Sequence, residues 1–140
     1  MLWLRKSKKG FTLIELMVVV AIIGVLALLG LRLYTGQQDK AKNAIVKANV
    51  GTIQTLIQAE LADSTVDAVN TDVNAEEDSL ISRSGIHNPF TGAAQTANGT
   101  EGDDGDPGDV YVTESDGVFE INGNDADESP VYDDPLKARK

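Results

Sequence analysis

Few side chains in this sequence are equipped for chemistry, and their spacing narrows what that chemistry is. There is no cysteine and a single histidine, His87. That removes disulfides, thiolate nucleophiles and thiolate metal sites, and it leaves little for imidazole catalysis. Carboxylates remain, in two settings. Glu15 stands alone at the start of a long apolar run, inside KKGFTLIEL at residues 8–16. Asp103, Asp104, Asp106 and Asp109 crowd into GDDGDPGD, the kind of oxygen cluster that hard cations such as calcium prefer. No D-x-D-x-D-G loop with a closing glutamate accompanies them, so a solvated acidic surface is the stronger reading. His87 in HNPFTG reads as a turn residue. Asn98-Gly99-Thr100 satisfies a glycosylation sequon but reads first as a simple turn. With no convergent nucleophile or base, an enzyme is not expected.

Charge is distributed with a strong polarity. The formal net charge is −10, yet Arg5, Lys6, Lys8 and Lys9 precede Gly10 without any acid among them. Beyond Gly10 the chain carries eight basic and twenty-two acidic residues, a net of −14. So acidic a surface argues against direct nucleic-acid binding, because phosphate recognition relies on Lys and Arg to displace counterions.

The elements that must position these residues follow from hydropathy. Leu16–Leu31 holds no charge, and residues 11–31 make about 31 Å of helix, enough to cross a bilayer core. Basic residues on its N-terminal flank favour a cytoplasmic N-terminus. A cleaved secretory signal is the rival, but the run is long for one and ends in GLRLY without a small-x-small site. Val46, Val50, Ile53, Ile57 and Leu61, with Leu56 beside them, recur at helical spacing and predict an amphipathic stripe. One helix of roughly 80 Å is therefore expected from about Phe11 to Asp63, leaving at Asp63-Ser64-Thr65. Residues 64–140 are rich in turn signals. Asp109–Thr113 and Gly117–Ile121 flank ESDG and predict a hairpin, with a third strand expected around Val131. A lone hairpin is marginal in water, so Leu80, Ile81, Ile86, Phe90, Val110, Val112, Phe119, Ile121, Val131 and Tyr132 need the helical stripe as a second layer. The expected fold is α+β: a long N-terminal α-helix packed by a small antiparallel sheet.

Lys9-Gly10-Phe11-Thr12-Leu13-Ile14-Glu15 with the apolar run behind it resembles the class III signal of type IV pilins and their pseudopilin relatives, over about residues 5–31. The resemblance implies a basic leader at 1–10, a transmembrane and assembly helix at 11–32, an amphipathic helix at 33–63 and an acidic β-rich head at 64–140. It implies cleavage between Gly10 and Phe11 by a prepilin peptidase, and N-methylation of Phe11. Glu15 would meet the Phe11 amine of a neighbouring subunit, with Thr12 close to that amine. The family commonly has a proline near the end of the apolar run. Here Gly-Leu-Arg stands at 30–32, so Gly24 and Gly30 are the weak points of the helix, and Arg32 reads as snorkelling to the outer interface.

The function this implies is a structural subunit, a major pilin, that starts in the bacterial inner membrane and polymerises into an extracellular filament. Its partners would be copies of itself, the prepilin peptidase, the assembly platform and motor proteins, and the membrane before assembly. No cofactor is expected beyond the calcium candidates. The alternatives are a type II secretion pseudopilin, whose major member has a calcium-stabilised C-terminal loop and to which this chain is similar in lacking cysteine, and a membrane-anchored binding protein that never polymerises.

Overall fold

The computed structural model describes residues 10–100 and 105–140. Its contacts divide the chain into two compact units, with the boundary between Gln37 and Gln38.

Helix α1 runs over Leu13–Asp63. No proline occurs before Pro89, and the helix continues through Gly24, Gly30, Gly36 and Gly51. In the first unit every residue from Leu13 to Gln37 is exposed. In the second unit Val46, Val50, Ile53, Ile57 and Leu61 are fully buried, as their spacing predicts, while Leu56 beside them is 36% exposed.

The second unit closes around that stripe. Two short helices follow α1: α2 at Val66–Val73 and α3 at Leu80–Ser84. Thr65 caps α2, its side chain accepting from the Ala68 amide, and Ser79 caps α3 by accepting from the Ser82 amide. Arg83 joins them through a two-pronged ion pair to Asp72, at 2.7 and 3.1 Å. Asp72 and the neighbouring acids raise the Arg83 pKa further above its ordinary range.

Three strands form one antiparallel sheet in the order β1-β2-β3: β1 at Val110–Ser115, β2 at Val118–Gly123 and β3 at Leu136–Arg139. Ser115 pairs with Val118, so Asp116-Gly117 is a two-residue hairpin loop. Both residues have positive φ, 52° and 79°. That is the turn whose twist matches paired strands, and Asp-Gly is among its preferred sequences. The predicted hairpin therefore stands.

The third strand differs from expectation. Residues around Val131 contribute only an isolated bridge, Asn124 to Pro130, and the strand beside β2 is Leu136–Arg139. Val131 and Tyr132 pack half-buried against the core instead, where Tyr132 exchanges two hydrogen bonds with the Asn122 carboxamide, at 2.8 and 3.1 Å. The segment from residue 64 is also not purely strand and turn, since α2 and α3 supply Val69, Val73, Leu80 and Ile81 to the core. Phe119, Ile121, Val110, Val112 and Ala138 come from the sheet. The fold is α+β, a long N-terminal helix with a small antiparallel sheet.

Candidate assembly site

Gly10, Phe11 and Thr12 precede the first helical residue, and the Gly10–Phe11 bond is exposed, with Phe11 at 80% accessibility. A protease can reach such a bond without unwinding a helix. Thr12 and Glu15 then start α1 together. The Thr12 amide donates to Glu15 Oε2 at 2.9 Å, and the Thr12 hydroxyl donates to the same oxygen at 2.7 Å. In return the Glu15 amide donates to Thr12 Oγ1 at 3.3 Å. This is a reciprocal capping box of the pattern Thr-x-x-Glu, and it places a negative charge at the positive end of the helix dipole.

Glu15 thus has a partner within its own chain. Sequence reasoning sought that partner on a neighbour and gave Thr12 only a bond near the amine. The signal was nevertheless present, because a threonine three residues before a glutamate, ahead of an apolar run, is a helix-start signature.

Behind the cap lies the apolar surface. Leu13, Ile14, Leu16, Met17, Val18, Val19, Val20, Ile22, Ile23, Val25, Leu26, Leu28, Leu29, Leu31 and Leu33 are each at least 45% exposed. Among the described residues α1 is the one helix long and apolar enough to cross a membrane, with an 18-residue window of mean hydropathy 2.8. A monomeric soluble protein rarely exposes so large an apolar patch. Gly24 and Gly30 have nothing within 4 Å of where a side chain would begin, so both leave flat, unoccupied helix surface. Arg32 lies on the exposed helix with its carbonyl accepting from the Thr35 hydroxyl at 3.1 Å.

The acidic loop falls partly outside the described residues, which exclude Asp103 and Asp104. Asp106 is exposed, and the half-buried Asp109 accepts from Asn88 Nδ2 at 2.8 Å. Burial pushes the Asp109 carboxyl above its ordinary pKa; the Asn88 bond opposes that shift and the nearby Asp106 charge adds to it. Fully buried Asn124 donates to the Thr100 and Asp106 carbonyls at 2.9 and 3.3 Å, and its Oδ1 has no hydrogen-bond partner among the described residues. No group of three or more His, Cys, Asp or Glu side chains placed to hold a metal occurs among the described residues. His87 bonds locally, ring Nδ1 to the Gly85 carbonyl at 2.9 Å.

Comparison with known proteins finds a motif likeness in the N-terminal segment. Residues 5–31 match the family model described as the prokaryotic N-terminal methylation motif. The chain is also similar to named fimbrial subunits. It is 43% identical over 64 residues to fimbrial protein EcpB of Eikenella corrodens, covering 46% of this chain and 40% of the relative. It is 40% identical over 60 residues to a type IV major fimbrial protein FimA of Dichelobacter nodosus, covering 43% and 38%. Over 49 residues it is 43% identical to the type II secretion system core protein G of Pseudomonas aeruginosa, covering 35% and 34%. The matches thus span about two fifths or less of these relatives' length. No solved structure matches.

Proposed function

We infer that this chain is a major subunit of a type IV pilus. It begins as an inner-membrane precursor and polymerises into a surface filament after removal of its leader. The observation that carries the reading is a helix whose apolar side chains are all exposed from Leu13 to Leu33, capped by Thr12 and Glu15 directly behind an accessible Gly10–Phe11 bond. The methylation-motif match over residues 5–31 and the similarity to named fimbrial proteins support it.

In this mechanism a prepilin peptidase cuts between Gly10 and Phe11 and methylates the new amine. The assembly platform and motor proteins extract the subunit, and the apolar face exchanges lipid for neighbouring helices. Glu15 leaves its cap on Thr12, or shares it, to meet the Phe11 amine of a neighbour. A carboxylate within the hydrocarbon region demands such a partner. Gly24 and Gly30 admit close helix approach, and Arg32 stays at the outer interface.

The similarity to type II secretion core protein G supports a second reading, a pseudopilus subunit confined to the cell envelope. One experiment tests both. Material sheared from cells is digested, and the N-terminal peptide is identified by mass spectrometry. N-methyl-Phe11 in the sheared filaments is the expected result. The same processed terminus found only in the cell envelope favours the pseudopilus. An intact Met1, or a cut beyond Leu31, overturns both.

A further inference from the structure

The sequon at Asn98 has a different use in the fold, and it involves the sheet's open side. In the order β1-β2-β3, the outer edge of β1 has no strand beside it among the described residues. Its backbone groups are nonetheless paired, by side chains. Gln95 Nε2 donates to the Val110 carbonyl at 2.6 Å, and the Val110 amide donates to Gln95 Oε1 at 2.9 Å. Two residues along, Asn98 Nδ2 donates to the Val112 carbonyl and the Val112 amide donates to Asn98 Oδ1, both at 2.8 Å. A carboxamide offers one N–H and one C=O side by side, as a peptide does, so each amide stands in for one residue of a missing strand.

The segment bearing these amides is anchored on its far side. The Gln95 amide donates to the Ile86 carbonyl at 3.0 Å, and Asn88 donates to the Ala93 carbonyl at 2.8 Å. The Ser79 hydroxyl donates to the Thr96 carbonyl at 3.1 Å, and Asn98 Nδ2 also reaches Asn74 Oδ1 at 2.9 Å. Gly99 completes the fit. Its amide donates to the Val110 carbonyl at 3.0 Å, and a side chain there would begin only 2.7 Å from that oxygen. The Asn-Gly of the sequon is thus required by the pairing itself, and the nitrogen a glycan would take is already committed to two acceptors.

We propose that Gln95 and Asn98 form an edge guard, which keeps the Val110–Thr113 edge of one copy from adding to the sheet of a second copy. An open edge carrying Val-Tyr-Val-Thr is a template for strand addition, and natural sheets block such edges by cover, charge or proline. Here the cover is two side-chain amides, joined at the Val110 carbonyl by the Gly99 backbone amide. The occupant it excludes is β1 of another copy, which would meet it antiparallel across the open edge. This assignment is independent of whether the protein forms a filament.

The test uses the full chain in detergent micelles. In the native protein the Val110 and Val112 amides exchange with solvent as slowly as those of β2. In Gln95→Ala/Asn98→Ala they exchange at least about tenfold faster, and the protein self-associates as its concentration rises, measured by light scattering. In Gln95→Lys/Asn98→Lys the same amides are released, but lysines at the edge repel a second strand and the protein stays monodisperse. That pattern separates a guard from a merely stabilising contact. If the alanine pair unfolds the sheet, the single Asn98→Ala variant, which frees Val112 alone, is expected to associate more weakly but measurably. The proposal is overturned by an alanine variant that stays monodisperse with its edge exposed. It is equally overturned if alanine and lysine variants associate alike, or if the native Val110 and Val112 amides are unprotected.

Discussion

Residues 13–37 and residues 38–63 belong to one helix, yet they obey opposite rules. In the first stretch every apolar side chain is exposed; in the second, a stripe of five is fully buried and only Ile45 and Leu56 stand out among the large apolar residues. Backbone hydrogen bonding is the same in both. What differs is where the apolar surface finds its partner: within the chain for the second stretch, outside it for the first. Helix formation and hydrophobic burial are therefore separable here, and the first stretch holds its shape by capping and internal bonds until an environment covers it.

The largest expected effect breaks that contrast directly. Ile57→Ala removes a fully buried side chain and is expected to destabilise the second unit by about 2–5 kcal/mol. Ile22→Ala, 55% exposed in the native helix, should leave that unit's melting unchanged. Thermal unfolding of the two full-length variants in micelles, followed by near-UV circular dichroism, measures the difference. Equal losses would show that the two stretches are not energetically distinct.

A smaller effect sharpens the account of the first stretch. Thr12→Ala removes the capping hydroxyl, at a cost of about 0.5–2 kcal/mol, and should speed exchange of the Glu15 and Leu16 amides, whereas Thr12→Ser restores protection. The change should be confined to the helix start, leaving the Val46–Leu61 amides as they were.

The smallest effect concerns the second unit alone. Burial raises the Asp109 carboxyl above its ordinary pKa. The folded state thus holds its proton more tightly than the unfolded chain does. Its contribution to stability is greatest below the unfolded value and is lost as pH rises through the raised folded value. Asp109→Asn should therefore melt slightly higher than the native chain at pH 7, with the gap closing near pH 3. A gap that widens on acidification would reverse the assigned sign.

How much of this was legible in the sequence depended on whether the signal was local. The stripe from Val46 to Leu61 appears where its period places it, whereas the turn expected over ESDG at 114–117 tightens to Asp116-Gly117, with Glu114 and Ser115 joining β1. Helix α2, VDAVNTDV, has weak helix formers and is held by burying Val69 and Val73, which no local pattern announces. Strand β3, LKAR, has little β-propensity beside the Val-Tyr at 131–132. Its place is fixed by pairing with β2 and by Gln54 and Gln58 on α1, which donate to the Lys137 and Arg139 carbonyls at 2.9 Å each. At the candidate site, the apolar run was legible as a helix, and Gly10 and Phe11 lie exposed ahead of it. The Thr12–Glu15 cap was written in the spacing and overlooked, and the pairing of Gln95 and Asn98 with β1 required three dimensions.

The choice of amides at the sheet's margins has a further consequence. A carboxamide does not titrate, and its bonds respond little to dissolved ions, whereas the surrounding surface carries carboxylates that respond to both. Acidity and salinity can then rewrite the exterior charge of this protein while the Gln95 and Asn98 bonds to β1 persist. Titratable groups still bear on the sheet through Glu114 at the hairpin turn and the Glu120–Lys137 pair, so its response to the water is concentrated at the turn and at β2–β3 rather than along the amide-covered edge.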